Sequence, residues 1–239
     1  MANINERRTL FAATTGGRTF LLRRHDPPGE HTSHELSLYE DYLGPTPKEL
    51  PLPWLPPEGF TSEVEALDHV RRWHAGVTAF EDVRQGRHVA IDFARALKLG
   101  TLEPLSPSMS AEAVVALLGV PEEVTPTLEP GTVCWFYGAV QLGLEDGRLR
   151  FLEVDSGVGA FTSLEFTGWF LDPSMTKPRL EEALTARGIP FTRETHMEAP
   201  VLRVPGGFLF DFDADTERIH ALYWNHPLAV PCPVPPFPT

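Results

Sequence analysis

Cysteine is nearly absent. Cys134 and Cys232 are the only two in 239 residues, 98 positions apart. That excludes a disulfide framework and a C-x-x-C metal knuckle, and points to a reducing compartment. Lysine is scarce too, with three residues against 17 arginines. Positive charge as a whole is short: 20 basic residues face 33 acidic ones, a net charge of −13. Gripping phosphate needs a basic footprint, so nucleic acid is not an expected partner. Long apolar runs are missing as well. The longest, at 133–140, falls far short of the roughly 20 residues that span a bilayer. The first ten residues lack the apolar stretch of a signal peptide. A cytoplasmic protein with no membrane partner is expected. Catalytic signatures are also lacking. There is no G-x-x-x-x-G-K-[ST], no G-x-S-x-G and no H-E-x-x-H. Gly157-Val158-Gly159 lacks the third glycine of a dinucleotide site. No cofactor is expected.

Proline is what the chain has in excess, 24 of 239 residues. Hydrophobic residues at 42% and charged residues at 22% are otherwise ordinary, so a folded chain with stiff connections is expected. Charge is uneven. Residues 1–24 carry Arg7, Arg8, Arg18, Arg23 and Arg24 against Glu6, a net of +4, which leaves −17 for the rest.

Residues 9–24 read as a hairpin around Gly16-Gly17. The spacing of Leu36, Tyr39 and Leu43 predicts a helix over 33–43. Six prolines in 44–59 predict an extended connector, with Trp54 and Leu55 needing burial. Ser62 and Glu65 stand at capping-box spacing, and Phe60 can staple onto Ala66. Val64, Leu67, Arg71 and His74 mark a face of the helix that follows, with Gly76 able to end it. Residues 86–99 read as a second helix, although 88–93 alternate like a strand.

The strongest pattern is an internal repeat. One unit, about 108–155, begins at Ser108-Met109-Ser110. The other, about 174–225, begins 66 positions later at Ser174-Met175-Thr176. Ser110 and Thr176 are N-cap candidates. Val114, Leu117 and Leu118 stand at i, i+3, i+4, and Leu180, Ala183 and Leu184 repeat that phase. Both predicted helices run to Gly-x-Pro, at 119–121 and 188–190. Val140, Leu142 and Leu144 then alternate, as do Phe208, Phe210 and Phe212. Turns at Asp146-Gly147 and at 214–217 lead into return strands at 148–151 and 218–221. Each unit reads helix, strand, strand, strand, and an extra strand over 164–171 joins them. The expected class is α+β. A hairpin and helices fill 1–105, two tandem helix-on-antiparallel-sheet units fill 106–226, and a proline-rich tail fills 227–239.

Candidate sites are few. His25, His31, His34 and Glu35 are the weak metal candidates, since histidines at i, i+3 share a helix face. Asp211, Asp213, Asp215 and Glu217 resemble a calcium loop. Thr216 stands where the sixth-position glycine belongs, and Leu222 where the twelfth-position glutamate belongs. Cys134, beside Trp135, Phe136 and Tyr137, reads as a buried structural thiol.

The stretch 108–155 holds Leu118-Gly119-Val120-Pro121, Trp135-x-Tyr137-Gly138, Val140-Gln141-Leu142 and Glu145-Asp146-Gly147-Arg148-Leu149. It resembles small modules of bacterial immunity proteins from polymorphic toxin systems. Its helix-then-strands order also resembles the repeat unit of the β-lactamase inhibitor protein and of small outer-membrane assembly lipoproteins. The resemblance covers about 50 residues well and does not reach 1–105. It implies a binding protein that neutralises a toxin domain by occlusion. Glu145, Asp146, Asp211, Asp213 and Asp215 would steer a basic protein partner, and Trp169 and Trp224 would anchor it. Two other classes stay open: a metal-dependent hydrolase using His25, His31 and His34, and a scaffold subunit.

Overall fold

The computed structural model describes residues 7–26, 33–44, 47–53, 55–56, 59–82, 88–127, 131–155, 163–168, 170–172, 174–196 and 199–225. The protein is α+β and mostly sheet. The chain opens with β1 (Arg7–Thr15) and β2 (Arg18–Asp26), paired from Thr15↔Arg18 to Arg7↔Asp26. Gly16 and Gly17 supply φ of 56° and 75°, which the tight turn between twisted strands requires.

The expected helix over 33–43 is replaced by β3 (Ser33–Glu40). The same residues also read with a period of two, and His34, Leu36 and Leu38 are buried while Ser33 and Glu35 are exposed. β2 presents an unpaired edge, and eight registered pairs with β3 satisfy it. A helix over these residues would bond its own backbone and leave the β2 edge open, so tertiary pairing overrides local spacing. Within the proline-rich connector, Lys48–Leu50 forms β4 at the sheet margin, where neighbouring prolines are tolerated. Leu55 packs on the core, and Trp54 lies outside the described residues.

Helix α1 (Glu63–Trp73) starts where expected. Ser62 Oγ accepts from Glu65 N at 3.2 Å, and the Glu65 carboxylate accepts from Thr61 N at 2.9 Å. Its buried face is Ala66 and Val70, not the Val64 side, since Val64 is 69% exposed. These residues join Phe20, Leu22, Leu36, Leu38 and Phe60 in one cluster. With β5 (Glu81–Asp82), the first sheet runs β4-β3-β2-β1-β5.

Both readings of 86–99 hold in part. β6 (Val89–Asp92) passes directly into α2 (Phe93–Leu99), with Asp92 Oδ1 accepting from Arg95 N at 2.9 Å. Ile91, Phe93, Ala96 and Leu97 belong to the main core of the C-terminal part.

That core is built on α3 (Ala111–Leu118), β7 (Glu123–Pro126), β8 (Thr132–Tyr137), β9 (Val140–Glu145) and β10 (Arg148–Asp155). β11 (Leu164–Thr167) follows. Then come α4 (Lys177–Ala186), β12 (Thr192–His196), β13 (Ala199–Val204), β14 (Phe208–Phe212) and β15 (Ile219–Trp224). β11 does not link the two units as expected. It stops at Thr167 and pairs in parallel with β6 as a separate ribbon. The other eight strands form one antiparallel sheet, β12-β13-β14-β15-β10-β9-β8-β7. β7 and β12, which the sequence reading leaves unassigned, are its edges. Their polar side chains carry little apolar signal.

One face of this sheet is buried. Trp135, Leu142, Phe208, Phe210 and Phe212 pack with Val114 and Leu118 of α3 and Leu180 and Leu184 of α4. Burying side chains of this size contributes about 1.5–3 kcal/mol each.

The two halves share their backbone bonds. Leu149 N donates to Met109 O, and Ile219 N to Met175 O, both at 2.8 Å. Ala111 N donates to Gly147 O at 2.8 Å, and Lys177 N to Glu217 O at 3.0 Å. Each return strand carries a bulge near its start, at Arg150 in β10 and at His220 in β15. Pairing between halves is Leu152↔Trp224, Glu153↔Tyr223 and Val154↔Leu222. Within these two return strands residues 70 positions apart correspond, so a local two-fold passes between Glu153 and Tyr223.

Candidate functional site

The acids expected to steer a partner do not form one patch. β10 and β15 are antiparallel neighbours, so the turns before them lie at opposite ends of the sheet. Glu145 and Asp146 stand at one end. The Glu145 carboxylate is held by Arg150 Nε at 2.7 Å. Asp213 and Asp215 stand at the other end, in the turn before β15. Asp213 Oδ1 accepts from Thr216 Oγ1 and Thr216 N, both at 2.8 Å, and from Asp215 N at 3.2 Å. Those donors, the Thr216 hydroxyl first, hold the Asp213 carboxyl below its ordinary range. Trp224 is 3% exposed within the main core, so it faces the helices rather than a partner. Trp169 lies outside the described residues.

Asp211 belongs to a different setting, the sheet face away from α3 and α4. Alternation places Glu153, Asp155 and Gln141 on that face with Tyr223 and Leu209. Gln141 Nε2 donates to Asp155 Oδ2 at 3.0 Å. Asp211 Oδ2 lies 3.7 Å from His220 Nδ1. Glu153 hydrogen-bonds both Asp155 and Tyr223. Burial, then the charge of Asp155, pushes the Glu153 carboxyl up to about 7. Burial also raises the Tyr223 phenol, and raises the Cys134 thiol on the neighbouring part of the face. Beside this network Val201, Leu209, Ala221 and Tyr223 form a small cluster that is almost wholly buried. The network can hold a proton between two carboxylates. Gln141, Glu153, Asp155 and Asp211 are half-buried and Tyr223 is buried, so it is not an open docking face.

An accessible concavity lies elsewhere. A cavity of about 600 Å³ lies where the turn after β3 meets α3 and the β9–β10 turn. Leu43, Val115, Val133 and Leu144 line its apolar part. Asp41, Glu112 and Asp146 bring three carboxylates, and among the described residues neither Lys nor Arg lines it. Each acid is placed by local backbone. Asp41 (φ 51°) opens a turn closed by Gly44 N to Asp41 O at 2.9 Å, and a Cβ at Gly44 would collide with the Asp41 carboxylate. Asp146 (φ 48°) donates its N–H to Gly131 O at 3.0 Å. Glu112 sits in the first turn of α3. Its own backbone N–H and the Ser110 hydroxyl hold its carboxyl below the ordinary range, with help from the Arg148 charge. The Arg148 guanidinium itself donates to Ser108 O at 3.1 Å. Among the described residues no cation lies within ion-pair distance of Asp41, Glu112 or Asp146.

The N-terminal sheet is fixed against this half. Tyr42 OH donates to Pro121 O at 3.1 Å and Arg23 Nη2 donates to Glu122 O at 3.1 Å. Leu21 and Tyr42 pack with Val120 and Val124.

The metal candidates do not converge. His34 and Glu35 are neighbours on a strand and point to opposite faces. His34 is 6% exposed. His31 and the side chain of His25 lie outside the described residues, as does Cys232. Among the described residues no group of three or more His, Cys, Asp or Glu could hold a metal ion. No described helix is long and apolar enough to cross a membrane.

Sequence reasoning finds Asp146 but misses Asp41 and Glu112. Asp41 is hidden by the helical reading of 33–43. Glu112 has a signal, an acid two residues after a serine cap, but it reads equally well as helix stabilisation. No family model, curated protein or solved structure matches the chain.

Proposed function

We propose that the protein is a non-catalytic binding protein of the cytoplasm, an immunity-type protein that neutralises a basic toxin domain by covering it. On this reading 106–226 is a tandem duplication of one helix-on-antiparallel-sheet unit. The repeated cap-to-strand hydrogen bonds and the matched bulges support the duplication.

One observation carries the functional reading: the two halves treat the same corner differently. In the second half Glu181 stands where the first half has Val115. Lys177 Nζ holds it at 3.1 Å and Arg193 Nη2 at 2.6 Å. In the first half the corner is a cavity with three carboxylates and, among the described residues, no lining Lys or Arg. Acids around an apolar hollow favour a basic partner, and the net charge of −13 would speed its approach.

The test is affinity purification of the tagged chain from its native lysate, followed by assay of what co-purifies. The expected result is a stoichiometric basic protein whose activity falls as this chain is added. A stoichiometric partner with unchanged activity would overturn neutralisation. The absence of any partner above background would overturn the binding reading itself.

A further inference from the structure

We infer that the cavity between Asp41, Glu112 and Asp146 receives an arginine side chain from a protein partner, the aliphatic stem on Val115, Val133 and Leu144 and the guanidinium among the carboxylates. This rests on the binding reading above and names the contact it uses. Three features of the site argue for it together.

The first is shape. About 600 Å³ is the size of hollow that accepts a large side chain with its flanking backbone. The second is its division into apolar and acidic parts. A guanidinium carries a planar fork of donors on an apolar stem and is weakly hydrated for a cation, so it tolerates an apolar wall beside its charge better than an ammonium does. The third is charge. Glu112 is held below the ordinary carboxylate range by its own backbone N–H and Ser110, with a smaller contribution from the Arg148 charge, and among the described residues no cation lies within ion-pair distance of Asp41, Glu112 or Asp146. A guanidinium entering the hollow meets carboxylates of opposite charge on its lining.

The placement also explains the junction between the two sheets. Asp41 comes from the N-terminal sheet, and Glu112 and Asp146 come from the first half of the large sheet. Contacts of Tyr42 and Arg23 with 121–122 set the distance between these walls. The second half has no counterpart of Asp41, because no described strand of the N-terminal sheet packs against it.

The probe is a blocked hexapeptide with a central arginine flanked by leucines, followed by amide chemical shifts in the full chain. A matched peptide with citrulline in place of arginine keeps the shape and removes the charge. The D41N, E112Q and D146N changes, made together, remove three charges and keep size. Asn tolerates the positive φ at 41 and 146, so the fold survives. Circular dichroism checks that it does. The expected result is saturable shift changes at Val115, Ala116 and Val133. The arginine peptide should bind at least about tenfold more tightly than the citrulline peptide, and lose about tenfold in the folded triple variant. Equal binding of the two peptides, or unchanged binding to the triple variant, overturns the inference. The natural partner separates the two readings. A captured partner that binds wild type and triple variant alike removes the arginine contact and leaves the binding reading intact. Peptide binding at the cavity with no captured partner removes the neutralisation reading and leaves the cation site intact.

Discussion

The two halves of the large sheet run through the same backbone course and end in different chemistry. Ser110 and Thr176 open matching helices, and Arg150 and His220 form matching bulges. Yet Lys177, Glu181 and Arg193 neutralise one another in the second half, while Asp41, Glu112 and Asp146 stand around a hollow in the first. At the local two-fold a glutamate faces a tyrosine. Main-chain bonding and apolar alternation make the fold. Residues that break the equivalence make the site.

The largest effects should come from the shared core. Phe210→Ala should cost about 3–5 kcal/mol and Leu142→Ala about 2–5 kcal/mol. Because the eight strands are continuous, each should shift one cooperative transition in urea. Two separate transitions would show that the halves fold independently.

Next come the two turns. Gly147 has φ of 70°. Gly147→Ala should cost about 1–2 kcal/mol, the penalty for an L-residue in the left-handed region. The equivalent turn in the second half depends on a side chain instead. Asp213→Ala should lower the thermal midpoint by less, through loss of the acceptor for Thr216 and Asp215.

The two-fold centre gives a pH-dependent test. The folded Glu153 carboxyl titrates near 7, above its ordinary value of 4.5. Stability tied to its protonated form is therefore complete below pH 4.5 and is lost as pH rises through 7. Glu153→Gln should match wild type at pH 4. At pH 8 it should be more stable by about 1–2 kcal/mol, a value reduced for the solvent that reaches this half-buried group. Equal stability of the two proteins at pH 8 would remove the raised carboxyl from the account.

The smallest contrast is between the helix caps. Ser110 Oγ accepts from Ala113 N at 3.3 Å, while Thr176 makes no side-chain cap bond. Ser110→Ala should cost about 1 kcal/mol and Thr176→Ala only a few tenths. Equal losses would mean that the caps are equivalent after all.

Much of the fold was legible because it rests on short-range chemistry. Gly16-Gly17 and Asp146-Gly147 mark turns, Ser62 and Glu65 mark a helix start, and the alternation of Phe208, Phe210 and Phe212 marks a buried sheet face. The reading of 33–43 went wrong because Leu36, Tyr39 and Leu43 satisfy a helical spacing by coincidence, and only the edge of β2 decides between the periods. β7 and β12 went unread because edge strands take their stability from one neighbour and need few apolar residues. The site was legible only at Asp146. Asp41 is about a hundred positions away in sequence, and nothing local says that the two sheets meet there.

The most direct measurement is a paired capture experiment on the two matching corners. One variant carries D41N, E112Q and D146N; the other carries E181Q, E182Q and D213N. Both remove three charges and both are checked for folding. The account predicts that the first loses the basic partner and its neutralisation while the second keeps both. Equal loss in the two, or retention in the first, would show that net charge alone attracts the partner and that the first-half cavity is not its docking site.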